Sequence, residues 1–138
     1  MSDLKARIAQ AQPRSKSVGL CLRGDLLSDL VEAETAKDVD RVAALKAEIE
    51  SATVVVAVRG LSYGEYRRLE NAHPDPKGDG WDADTFPQAL VKAALVDVTA
   101  EDADLLLATI TSGQLVELFT AALTVTNAVD AVPLPKRG

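Results

Sequence analysis

Two apolar runs, SVGLCLRG at residues 17–24 and TVVVAVRG at 53–60, constrain this chain more than anything else in it. Val18, Leu20 and Leu22 alternate in the first, the second is rich in β-branched residues, and each closes on Arg-Gly, so both read as strands. Their relative direction depends on what joins them. One unbroken helix would make the pair parallel through a right-handed crossover, whereas an even number of helices returns the second strand antiparallel to the first.

The connecting stretch, Asp25 to Ser51, has helical spacing in two blocks: Leu26, Leu27, Leu30 and Val31, then Val39, Val42, Leu45 and Ile49. From Glu32 to Asp38 there is no large apolar residue, and Thr35-x-x-Asp38 resembles a capping box that restarts a helix. This pattern predicts two helices folded back as an αα-hairpin with a polar tip, and hence an antiparallel pair of strands. The tip carries neither Gly nor Pro.

After Gly60 the signals are helical. Ser62-x-x-Glu65 forms a capping box ahead of Tyr63, Tyr66 and Leu69 at helical spacing. Pro74, Pro76, Gly78 and Gly80 then force a loop. Thr85 is placed to cap a helix with Pro87 in its first turn and Leu90, Val91, Ala94 and Leu95 on its inward stripe. Thr99-x-x-Asp102 caps the next, with Leu105, Leu106 and Ile110, and Ser112 opens a last helix carrying Leu115, Leu118, Phe119, Ala122 and Leu123 on one side. The expected fold is α+β, mostly α: a two-stranded sheet joined by a helical hairpin, followed by a C-terminal bundle of about four short helices. Residues 1–17, where a weak helical pattern from Leu4 and Ile8 stops at Pro13, read as a flexible arm. Residues 18–129 read as one domain, a size that suits a 138-residue chain, and 130–138, with two prolines, as an extended tail.

A net charge of −6 argues against nucleic acid as a partner, because phosphate binding relies on clustered Lys and Arg. No run approaches the ~20 apolar residues that span a bilayer, and the N-terminus lacks a signal-peptide core, so a soluble, cytoplasmic protein is expected. The lone cysteine, Cys21, lies in an apolar run and reads as a small buried hydrophobe. His73, the sole histidine, reads as a helix C-terminal residue facing the dipole. The acidic loop with Asp75, Asp79, Asp82 and Asp84 fails the calcium-loop register, since Lys77 falls at position three and Phe86 at position twelve. GxSxG, P-loop and GxGxxG motifs do not occur, and these observations together predict a non-enzymatic protein without metal or cofactor.

What remains is GWDADTFPQALVKAALVD at 80–97, which puts the only tryptophan and a phenylalanine beside a helix of small apolar residues. Large aromatics bury where they can, but tryptophan at a loop edge is also a frequent interface anchor. Trp81 and Phe86, with Leu90 and Phe119 from the flanking helices, are the candidate partner-binding residues. Trp81→Ala is expected to weaken partner binding more than it lowers the melting temperature.

The order of VGLCLRGDLLSDL, RGLSYGEYRRLENAHP, DADTFPQALVKAALVD, TAEDADLLLATITSGQLVELFTAALTVTNAV and VPLPK resembles that of the tail assembly chaperones of long-tailed bacteriophages and prophages, especially those of actinobacterial hosts. The resemblance runs from about Val18 to the C-terminus, carried mainly by Thr85-Phe86-Pro87, Ser112-Gly113-Gln114 with Leu118-Phe119, and Asn127. It implies a non-catalytic protein of the infected host cytoplasm that binds the tape-measure protein, keeps it soluble, and helps tail-tube protein assemble around it. It also implies absence from the mature virion, and often a longer product made by ribosomal frameshifting. Leu134-Pro135-Lys136 permits the slippery codons C CCA AAG, whereas CCG for Pro135 would forbid them. The alternative reading is a structural tail component, a tube or completion protein retained in the virion, and self-association is compatible with either.

Overall fold

A computed structural model gives the architecture, and residues 2–129 are described. Helix α1 (Ser2–Ala9) precedes strand β1 (Ser15–Cys21); helices α2 (Gly24–Thr35) and α3 (Val39–Ala52) lead to strand β2 (Thr53–Arg59); and α4 (Tyr63–Ala72), α5 (Phe86–Ala94), α6 (Ala100–Thr109) and α7 (Ser112–Thr126) complete the fold. The mostly helical α+β fold follows the sequence pattern, including the helical hairpin between two antiparallel strands and four helices after it. The ladder pairs Val18 with Val56 and Leu20 with Val54, and it starts at Ser15, three residues before Val18. The tail at 130–138, and with it the Leu134-Pro135-Lys136 slippage site, lies outside the described residues.

The hairpin tip solves its lack of glycine with Lys37. This residue adopts φ 57°, and the Lys37 amide donates to the Glu34 carbonyl while the Asp38 amide donates to that of Ala33, both at 3.1 Å. This is a Schellman closure with lysine where glycine is usual. The expected Thr35 capping box is not formed. Asp38 itself caps α3, its carboxylate accepting from the Arg41 amide at 3.2 Å, while the Thr35 hydroxyl donates back to the Val31 carbonyl at 2.8 Å. A hydroxyl in the last helical turn finds its nearest acceptor one turn back, so it is unavailable as a cap.

The hairpin closes a small core of its own around Leu26, Ala33 and Leu45, separate from the main core. The main core lies between one sheet face and the C-terminal helices. Val18, Leu20 and Val58 meet Leu90, Val91 and Ala94 of α5 and Leu118, Ala121, Ala122 and Val125 of α7. Helix α5 is the central element, and its run of small apolar residues is explained by neighbours on several sides: α7, α4, α6 and β2. Alanines at 94, 121 and 122 let these backbones approach closely with no side-chain entropy to lose.

Caps fix the helix starts. Ser62 and Glu65 form the reciprocal box at α4, and Thr99 accepts from the Asp102 amide at α6. At α7 the cap is Thr111, boxed with Gln114, so Ser112 is the first helical residue. The α4 stripe is narrower than its spacing implies. Tyr66 and Leu69 pack on the core, but Tyr63, at the very start of the helix, stands in solvent. Cys21 is half-buried at the end of β1, not enclosed mid-strand, since the chain turns out of the sheet directly after it.

Candidate functional site

The loop between α4 and α5 is a miniature hairpin that determines where Trp81 points. The Asp82 amide donates to the His73 carbonyl at 2.7 Å, the Asp75 amide to that of Gly80 at 3.3 Å, and Pro74 and Trp81 face each other across the bridge. Gly78 and Gly80 take φ 140° and 96°, a region open to glycine, and this lets so short a loop reverse. The Asp75 carboxylate accepts from the Lys77 amide and that of Asp82 from the Asp84 amide, so both serve as local turn acceptors. Among the described residues, no group of three or more His, Cys, Asp or Glu side chains is disposed to hold a metal ion.

The loop delivers Trp81 onto the core. Its ring stacks on Phe86 at 4.8 Å and meets Phe119 edge-on at 5.6 Å, while Tyr66 approaches Phe86 edge-on at 5.8 Å. Burial pushes the Tyr66 phenol up, with the nearby Glu70 charge adding to it. His73 stands at the C-terminus of α4 as its position suggested, and its Nδ1 lies 3.0 Å from the Thr85 hydroxyl. Thr85 therefore occupies the cap position of α5 without a side-chain cap bond.

The four candidate residues come together, but not as one surface. Phe86 and Leu90 are 0% exposed and form the floor of the core, so neither reaches a partner in this conformation. The sequence could not separate them from Trp81 because all four share apolar character; depth alone divides them. Trp81 and Phe119 are half-buried, and with Leu115, Pro87 and Val116, which is 61% exposed, they border a shallow depression of about 570 Å³.

A second cleft, of about 360 Å³, opens between the start of β2 and α6. Leu22, Val54, Val98 and Leu105 line it, with Asp97 and Asp102 at its margin. None of the four candidate residues named from the sequence borders this cleft. Leu105, one of the apolar residues of α6, is 66% exposed, and the available signal was a three-residue apolar run, Leu105–Leu107, too wide for one buried stripe.

Comparison with protein-family models, curated proteins and solved structures finds no match to this chain. Among the described residues, no helix is long and apolar enough to cross a membrane.

Proposed function

We propose that this chain is a tail assembly chaperone of a long-tailed phage or prophage, which binds the tape-measure protein in the host cytoplasm and promotes tail-tube assembly without catalysis. The sequence resemblance motivates the reading. The structural observation that supports it best is the depression in which the edge of the aromatic cluster, Trp81 and Phe119, adjoins the solvent-facing Val116. An apolar ledge backed by a rigid core is suited to shielding the apolar stripe of a long helix, because the receptor has little side-chain freedom left to lose.

The test is co-expression with the tape-measure protein and affinity capture of this chain. A soluble complex that disappears when the chain is omitted is the expected result. Tape-measure protein equally soluble with and without it would remove the reading. The second reading, a tube or completion protein retained in the virion, would use the uncovered part of the β2 edge to pair strands between subunits, for which a two-stranded sheet supplies few strands. Mass spectrometry of purified particles separates the two: a chaperone is absent from them.

A further inference from the structure

The outer edge of β2 is only half covered. Bonds from the Leu22 amide to the Ala52 carbonyl at 3.0 Å and from the Gly60 amide to that of Arg14 at 2.8 Å continue the β1–β2 ladder at either end and set its phase. Even-numbered residues of β2 therefore turn their amide and carbonyl toward β1, and odd-numbered ones turn theirs to the outer edge. On that edge the Val96 amide donates to the Ala57 carbonyl at 3.0 Å, and Leu95 bridges Val58. Asp97 then takes φ 56° and the chain leaves the sheet for α6. The next outward-facing residue, Val55, has no strand partner on that side among the described residues, and it is 70% exposed.

An exposed edge of this kind is normally blunted by charge, proline or a bulge. Thr53–Val58 has none of these and reads TVVVAV. Directly beside it is the cleft lined by Leu22, Val54, Val98 and Leu105, whose margin carries Asp97 and Asp102 and no basic residue. Asp104, one turn further along α6 from Ala100, is paired with Lys92 at 2.8 Å, whereas the carboxylates of Asp97 and Asp102 enter no ion pair among the described residues.

The geometry points to a strand-addition site: an extended segment of a partner protein, with alternating apolar side chains and a basic residue, pairs with the edge of β2 at Val55 where Val96 leaves off. Its alternate side chains enter the cleft against Val54 and Leu105, and its basic residue meets Asp97 and Asp102. Backbone pairing supplies affinity and the cleft supplies selection, the division of labour seen in strand addition generally. The partner's identity as tape-measure protein rests on the chaperone reading above; the site itself does not.

The probe is an eight-residue peptide alternating Val or Leu with Thr and bearing Lys at both ends, titrated into the intact protein. Binding is expected, weakened about tenfold or more by Leu105→Asp and about threefold by Asp97→Asn with Asp102→Asn. Leu105 is exposed, so its variant is expected to retain the wild-type melting temperature. Two peptides N-methylated on alternate amides provide the decisive comparison: methylation on the edge-facing set abolishes binding and on the opposite set spares it. Equal effects of the two sets, or no binding by the parent peptide, overturn the proposal. Self-association lost in Leu105→Asp, with no peptide binding, would assign the edge to a second copy instead. If peptide binds but tape-measure protein is not kept soluble, the site stands and the chaperone reading falls; if Leu105→Asp keeps tape-measure protein soluble as well as wild type, that protein binds elsewhere.

Discussion

Arg59 and Glu65 form a fork across the junction of β2 and α4, with guanidinium-to-carboxylate distances of 2.9 and 3.1 Å. Each end has a further task. Arg59 also reaches the Ala93 carbonyl at the end of α5, and Glu65 accepts from the Ser62 amide as half of the capping box. The Arg59 guanidinium holds the Glu65 carboxyl at about 2, well below its ordinary value of 4.5, with the Ser62 bonds assisting. A depressed carboxylate contributes stability that is present above its unfolded pKa and lost as pH falls through the folded one. Unfolding free energy should therefore decline between about pH 4.5 and pH 2 through this group, by about 1 kcal/mol once its partial exposure is discounted. Glu65→Gln should flatten that part of the curve. Denaturation profiles of the two proteins that stay parallel from pH 5 to pH 2 would refute the assignment.

Gly60 follows β2 at a point where the backbone of α7 leaves no room. A Cβ there would lie 2.5 Å from the Val125 carbonyl oxygen and 3.0 Å from its carbon. The neighbouring Leu61 amide donates to the Thr126 hydroxyl at 3.0 Å, so strand and helix end are bonded as well as packed. Backbone atoms cannot swing aside as a side-chain tip can. Gly60→Ala should cost about 2–3 kcal/mol, comparable to an overpacked core. Gly64→Ala, where a Cβ meets nothing within 4 Å, should be neutral or slightly stabilising. Urea denaturation of both variants checks the contrast; similar midpoints would mean that α7 shifts freely.

Lys37→Gly should stabilise the protein by about 0.5–1 kcal/mol, because it relieves a left-handed residue in a closure that favours glycine, less the greater freedom glycine has when unfolded. Lys37→Ala keeps the strain and should leave the melting temperature within error of wild type. If glycine lowers it, the tip does not hold the φ of 57° found here.

Much of the architecture was legible because period and caps agreed with each other. The gap from Glu32 to Asp38 predicted the hairpin, the hairpin predicted antiparallel strands, and Ser62-x-x-Glu65 fixed the start of α4. The errors lie where local pattern underdetermines geometry. Thr35 and Asp38 both suit a cap, and only the Schellman bonds decide that Asp38 holds the role. Tyr63 has helical spacing but sits in the first turn, beyond the reach of the core. The candidate site was legible as a cluster and not as a surface: Phe86 and Trp81 stack on each other, yet one is sealed and the other half-open, a difference set by the whole α5–α7 arrangement. The β2 edge was invisible because its exposure depends on Asp97 turning the chain away from a strand some forty residues earlier.

The stack of Trp81 on Phe86 changes what a substitution at Trp81 can report. Removing the indole deletes two ring contacts and uncovers a sealed phenylalanine, so Trp81→Ala should itself lower stability by about 2 kcal/mol, blurring any loss of binding. Val116 is the cleaner probe of the same depression, since it is largely exposed and borders Trp81 and Phe119 without entering the core. Val116→Asp should leave unfolding within about 0.5 kcal/mol of wild type, as surface substitutions do, while placing a charge where an apolar helix would lie. On the chaperone reading proposed above, capture of tape-measure protein in the co-expression assay should then fall severalfold. Trp81 is the only tryptophan, so its emission follows the depression directly: client binding should shift it in the wild type and much less in Val116→Asp. A variant that captures client normally and shows the full emission shift would remove this depression from the binding surface, leaving the β2 edge as the site to pursue.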